Sequence, residues 1–194
     1  MTNEKNKAKK ALVVGISGAS GAIYGIRLLE ALQNTNIDTH LVMSRAARIT
    51  IAQETEYAVS DVEKLAAFSH APDNIGASIA SGSFPTLGMV VVPCSLKSLS
   101  GIANSYTTDL LTRAADVTIK EGRPLILVVR ETPLHLGHLR LMTQASKQGA
   151  VIMPPVPAFY SHPKNIEDMI QQTVGRILAR LNIQNDLYQK WNGL

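Results

Sequence analysis

The chain has one cysteine, Cys94, in 194 residues. No disulfide can form within it, and at this length a single core can hold the fold without one. It has no apolar run near the roughly eighteen residues that span a bilayer and no signal-peptide pattern. A cytoplasmic protein with no membrane insertion is therefore expected. It also lacks a basic run interleaved with aromatics. The formal charge of +4 and the pI near 9.3 come mostly from residues 1–10, where Lys5, Lys7, Lys9 and Lys10 against Glu4 contribute +3. The remaining body is near neutral, which argues against a nucleic-acid partner. Residues 1–9 are expected to form a flexible basic tail ahead of one domain, 10–194.

What is present is an alternation. Short β-rich apolar runs at 11–16, 39–43, 89–93, 124–129 and 150–154 read as buried parallel strands. Between and around them, helical patterns fall at about 20–33, 45–56, 61–68, 96–103, 107–120, 138–148 and 165–182. Strand then helix, repeated, predicts a single α/β domain with a parallel sheet and helices on both faces. Ligands of such sheets bind beyond the carboxyl ends of the strands. The one compositionally odd segment is "PPVPAFYSHP" (154–163), whose four prolines make a stiff loop that presents Phe159 and Tyr160 from a fixed place.

At the strand tips, more absences narrow the chemistry. The first run ends in "GISGASGAIYG" (15–25). The dinucleotide fingerprint would need Gly where Ser17 stands, and a Walker loop would need a Gly-Lys-Ser/Thr that the segment lacks. A glycine-rich turn opening a helix still suits a phosphate or another polar edge, which favours Gly18, Ala19 and Ser20 as ligand contacts and leaves Gly25 as a packing residue. After the second run stands Ser44 rather than the acid that would hold an adenosine ribose, so FMN fits better than NAD; Ser44 also reads as a helix cap. The third tip, "PCSLKS", offers Ser95, Lys97 and Ser98, with Cys94 as a buried thiol. Past the fourth stand Arg130, which can clamp a phosphate, and Glu131, which can move a proton. His135 and His138 lack a third ligand in register, so no metal is expected. Arg113 and Lys120 share one helix face. Arg176 lies beside the apolar stripe of Met169, Ile170, Thr173, Val174 and Ile177, a place where a half-buried guanidinium needs an anionic partner.

"GISGASGAIYG", "PCSLKSLSGI", "RAADVTIKEGRPLILVVRETPLHLGHLRLM" and "GAVIMPPVPAFY" together resemble the UbiX-type flavin prenyltransferases, over about residues 10–194. The resemblance implies a Rossmann-like or flavodoxin-like fold, a homododecamer that binds FMN between subunits, and transfer of a dimethylallyl group from dimethylallyl monophosphate to N5 and C6 of reduced FMN. The product, prenylated FMN, serves a UbiD-type decarboxylase of ubiquinone biosynthesis. It further implies FMN contacts at Gly18, Ala19, Ser20, Ser44, Ser95, Leu96, Lys97, Ser98 and Arg130, and a substrate-phosphate cluster of Lys120, Tyr160 and Arg176. Arg113, Glu131, Lys120 and Ser20 match active-site positions of the family. "SLKS" stands where other members are richer in hydroxyls, which shifts the expected contacts at Leu96 and Ser98 to the backbone. Most prenyl-transferring enzymes ionise a diphosphate with Mg²⁺ held by a DDxxD motif, which this sequence lacks; fixed cations and hydrogen bonds are the expected substitute. Two rival readings are a flavin-dependent decarboxylase of peptidyl or pantothenoyl cysteine, whose "PASANT" and "PxMNxxMW" segments are missing here, and a non-catalytic flavin carrier.

Overall fold

In the computed structural model, which describes residues 10–191 and 193, six strands make one parallel sheet in the order β3-β2-β1-β4-β5-β6. The expected tail, 1–9, lies outside the described residues. The strands are β1 (Lys10–Ile16), β2 (Ile37–Met43), β3 (Phe68–His70), β4 (Met89–Cys94), β5 (Leu125–Val129) and β6 (Val151–Ile152). The helices are α1 (Ala22–Gln33), α2 (Arg45–Glu54), α3 (Val59–Lys64), α4 (Leu96–Ala103), α5 (Leu110–Lys120), α6 (Leu136–Lys147) and α7 (Ile166–Arg180).

The period of two along the strands builds two cores. Leu12, Val14 and Ile16 pack with Val90, Val92, Ile126 and Val128 against the buried faces of α1 and α7. Val13, Met89, Val91, Leu125 and Leu127 face the other way, onto α4, α5 and α6. The strands read as unbroken apolar runs because both faces are covered. Two short elements depart from expectation. The helix expected over 61–68 stops at Lys64, and Phe68–His70 forms a sixth strand paired only with β2. The strand expected over 150–154 is reduced to Val151–Ile152, since Pro154 and Pro155 cannot donate to a ladder.

Charged and polar groups fix how the helices lie. Arg27 on α1 grips Glu167 on α7 with a two-pronged contact, Nε to Oε1 at 2.9 Å and Nη2 to Oε2 at 3.2 Å. Its Nη1 also donates to Tyr57 Oη and Glu30. Those hydrogen bonds, Glu167's first, raise the guanidinium's pKa further, although burial opposes them. Ser44, Ser95 and Asn165 cap α2, α4 and α7 through side-chain oxygens, and Asp109 with Thr112 forms a capping box on α5.

At the β2–β3 edge, His40 Nδ1 lies 3.0 Å from His70 Nε2, and the His40 ring contacts those of Phe68 and Phe84. Burial, then the neighbouring His70, lowers the His40 pKa while Asp38 pulls it up; burial lowers that of His70. Both imidazoles therefore hold protons less tightly folded than unfolded, so the unfolded chain takes up more protons as pH falls below about 6.5. Stability is expected to be full above that pH and to decline below it. The thermal midpoint measured from pH 7.5 to 5 should fall, and His40→Phe should flatten the fall; equal slopes in both proteins would contradict this.

Candidate active site

The carboxyl ends of β1, β2, β4 and β5 open into a cleft of about 1220 Å³. Its position at β1/β4, where the strand order reverses direction, is the crevice that an open parallel sheet offers a ligand. Gly18, Ala19, Ser20, Ser44, Ser95, Leu96, Lys97, Ser98, Arg130 and Glu131 all line it. Ten of the expected residues are thus brought together from four strand tips. Arg45, Asp73, Asn104, Tyr106 and Thr108 join them without having been singled out in the sequence. Arg45 and Asp73 face each other at 3.9 Å as an exposed pair, worth little to stability.

The glycines divide by job. A Cβ on Gly25 would stand 2.5 Å from the Val92 carbonyl oxygen and 2.9 Å from Ile16 Cδ1, so Gly25 is the close-approach residue that lets α1 lie on the sheet. A Cβ on Gly18 would collide with the Ala46 methyl of α2, so that glycine also lets the loop reach the start of α2. Gly21 has φ +96°, and its N–H donates to Glu54 Oε2 at 2.7 Å. Ala22 N–H reaches the same oxygen at 3.4 Å. A carboxylate from the end of α2 therefore already faces the positive end of the α1 dipole. Sequence gave no sign of Glu54, whose partner is 33 residues away.

Arg130 N–H donates to Cys94 O at 3.1 Å, which ties the β5 tip to the β4 tip and leaves the guanidinium exposed at the cleft. Glu131 is exposed beside it and accepts from Thr132 N–H at 3.0 Å. Cys94 is fully buried, and burial pushes its thiol up to about 12, so no thiolate forms there at neutral pH. His135 caps α6, accepting from Gly137 N–H at 3.0 Å, and its ring meets that of His138 at a tilt of 36°, centroids 3.6 Å apart. Among the described residues no group of three or more His, Cys, Asp or Glu could hold a metal ion.

Tyr160 and Arg176 line a second, smaller cavity of about 360 Å³ with Met153, Pro154 and Gln172. Tyr160 Oη accepts from Gln172 Nε2 at 3.0 Å and donates to Gln189 O at 3.3 Å. Arg176 is exposed rather than half-buried as expected, and its guanidinium lies over the Tyr188 ring at 5.7 Å. Lys120 is not with them. It ends α5 at the amino-terminal end of the sheet, paired with Glu121 and beside Gly82, ahead of β5, whose five residues span about 16 Å, whereas Tyr160 follows the carboxyl end of β6. Arg113, two turns earlier, donates to Ala80 O at 3.2 Å and pairs with Asp116, away from the cleft. Within one chain the expected phosphate cluster is in two parts.

A flavoprotein family model matches residues 1–178. The flavin prenyltransferase UbiX of Escherichia coli (strain K12) is 62% identical over 187 residues, which cover 95% of this chain and 99% of that protein. The chain belongs to the UbiX flavin prenyltransferase family. The crystal structure of a UbiX protein in complex with FMN and dimethylallyl pyrophosphate superposes with a TM-score of 0.94 at 47% identity, covering 96% of this chain and 99% of that one. A dodecameric FMN-dependent UbiX-like decarboxylase from Escherichia coli O157:H7 superposes at 0.92 with 47% identity over 94% of this chain and 100% of that one. The UbiX match extends past the cleft to the proline loop and α7, so it covers both cavities. No described helix is long and apolar enough to cross a membrane.

Proposed function

We propose that this protein is a flavin prenyltransferase that transfers a dimethylallyl group from dimethylallyl monophosphate to N5 and C6 of reduced FMN. The observation that carries the reading is the near-full-length identity to a flavin prenyltransferase, combined with a cleft at the strand-order reversal lined by the expected polar groups. FMN fits that cleft's chemistry. Gly18, Ala19 and Ser20 present backbone, Ser44 and Ser95 bring the starts of α2 and α4, and Lys97 and Arg130 supply cations for a phosphate or a flavin carbonyl. When bound, reduced FMN supplies the nucleophilic N5 and C6 positions.

The chain's own groups do the rest. Tyr160 and Arg176 hold the departing phosphate through a hydroxyl and a guanidinium, and Lys120 adds a second cation. Because Lys120 stands at the amino end of the strands and Tyr160 follows the carboxyl end of β6, the complete cluster forms between copies, with Lys120 of one copy meeting Tyr160 and Arg176 of another. A dodecamer like that of the similar UbiX-like protein supplies such contacts. The bare apolar surfaces of Val156, Phe159 and Ile166 near the second cavity suit a subunit boundary. Fixed cations stabilise charge on the leaving phosphate without reorganising. Glu131, at the cleft wall, is the group placed to move a proton, and Arg113 orders the turn at Ala80. The product would pass to a UbiD-type decarboxylase of ubiquinone biosynthesis.

Anaerobic incubation with reduced FMN and dimethylallyl monophosphate, followed by mass measurement of the extracted flavin, tests this. A gain of one isoprene unit is expected, with the monophosphate consumed faster than the diphosphate. An unchanged flavin mass with either ester would leave a flavin carrier, and the proposal would fail.

A further inference from the structure

We propose that Ser17 is a positioning residue whose hydroxyl sets the gap between the two loops that hold the flavin. The inference rests on the FMN reading above. Ser17 has no exposed surface, so it touches no ligand and acts only through its neighbours. Its Oγ donates to Pro93 O at 2.9 Å and accepts from Ser95 N–H at 2.7 Å. Its own N–H reaches Pro93 O at 3.2 Å. These three bonds stitch the end of β1 to the end of β4.

The need for the stitch follows from the register. The ladder between β1 and β4 ends at the pair Gly15↔Val91. The ladder between β1 and β2, by contrast, continues to Ile16↔Met43, and Ser44 N–H closes on Ile16 O at 2.9 Å by backbone alone. Past Gly15 and Val91 the cleft lies between two strands that no longer pair through their ladder, and Ser17 takes over with one backbone bond and the two bonds of its hydroxyl. On one side of it stands the Gly18–Ser20 loop. On the other stands Ser95, whose hydroxyl in turn accepts from Ser98 N–H at 3.3 Å and donates to Ser98 Oγ at 3.2 Å. One buried hydroxyl thus sets the first wall of the cleft against the start of α4.

A hydroxyl is suited to the post because it donates and accepts from one atom. The dinucleotide fingerprint has glycine at this point. A glycine here would leave the Ser95 N–H without its partner and the two tips joined at this point only by the backbone bond from residue 17 to Pro93 O. The serine that spoils the fingerprint is the residue that makes this cleft.

The test is FMN titration by flavin fluorescence on the wild type and on Ser17→Ala, Ser17→Cys and Ser17→Thr, alongside thermal midpoints and the KM for reduced FMN. Ser17→Ala is expected to raise the FMN Kd about tenfold or more, with KM rising in parallel and kcat at saturating flavin within about threefold. Cys, close in volume and a weaker hydrogen-bonding group, should fall between, and Thr should recover most of the affinity. If Ser17→Ala does not fold, Ser17→Cys carries the test. An unchanged Kd in a folded variant overturns the inference, as does a loss confined to thermal midpoint and kcat with KM intact, which marks a merely structural residue. A wild type that binds no FMN overturns the flavin reading and the inference with it; a binding wild type with unchanged variants overturns the inference alone.

Discussion

Arg176→Ala should lower the rate of flavin alkylation by about 10²–10³, with the FMN Kd and the thermal midpoint close to wild type. Two observations and the proposed role separate these effects. Arg176 is exposed and contacts only the Tyr188 ring among the interactions described, so its loss opens no cavity. It lies in the smaller cavity, apart from the cleft assigned to the flavin. In the proposed reaction its guanidinium is a fixed cation for the leaving phosphate, which gathers charge as the carbon–oxygen bond breaks, so the loss should fall on the chemical step. Lys120→Ala should behave the same way for the same reason. Mixing is the decisive readout. If Lys120 of one copy serves Arg176 of another, oligomers reassembled from equal amounts of the two silent variants hold some sites with both cations. Random assembly of two-copy sites gives about a quarter of the wild-type activity. No recovery in well-mixed oligomers would mean that each chain builds its own phosphate site, against the two-part arrangement seen here.

Gly25→Ala should lower stability by about 2 kcal/mol net, since overpacking costs about 1–3 kcal/mol or more and alanine returns about 1 kcal/mol of helix propensity. That corresponds to about 4–8 °C in thermal midpoint for a chain of this size. The added methyl meets a backbone oxygen, Val92 O at 2.5 Å, rather than the far end of a flexible side chain, so the helix must lift or the strand must bend. Val92 precedes Pro93, whose carbonyl accepts from Ser17. The displacement should therefore also weaken FMN binding, and Gly25→Val should exaggerate both effects. Gly76→Ala is the control. Its Cβ meets nothing closer than Asn74 Oδ1 at 3.6 Å, and a change within about 0.5 kcal/mol is expected. Calorimetry of both variants would decide it; equal midpoints for Gly25→Ala and wild type would contradict the packing role.

How much of this was legible in the sequence depends on the range of each interaction. The long apolar strands announced themselves because burial on both faces makes them unbroken runs, and the tips followed because glycine, serine and proline end such runs. Phe68–His70 was hidden: it is three residues long, sits on an edge, and has Phe68 and Ser69 exposed, so no apolar period marks it. The ten cleft residues could be assembled without knowing strand order, since every parallel strand delivers its carboxyl end to the same side. Lys120 could not be placed relative to Tyr160 and Arg176 that way, because it ends a helix running opposite to the strands. Arg176 was expected to be half-buried from its place beside the stripe of α7, yet the side chain turns outward onto Tyr188, in the segment that folds back after the helix. Glu54 reads in sequence as an ordinary acidic residue near a helix end. Its meaning comes entirely from the turn at Gly21, with φ +96°.

The register that ends at Gly15↔Val91 on one side and at Ile16↔Met43 on the other has a consequence for how the chain matures. The walls of the cleft come from β1, β2, β4 and β5, and the last of them, Arg130, is set by a backbone bond to Cys94 that needs β5 already paired. A nascent chain that has made only β1 to β4 has most of a binding surface but no Arg130 wall. A flavin at a hundred times its Kd for the completed cleft adds about 2.7 kcal/mol to the finished fold relative to states that do not bind it, so the closing of the Arg130 wall and the binding of the ligand favour each other.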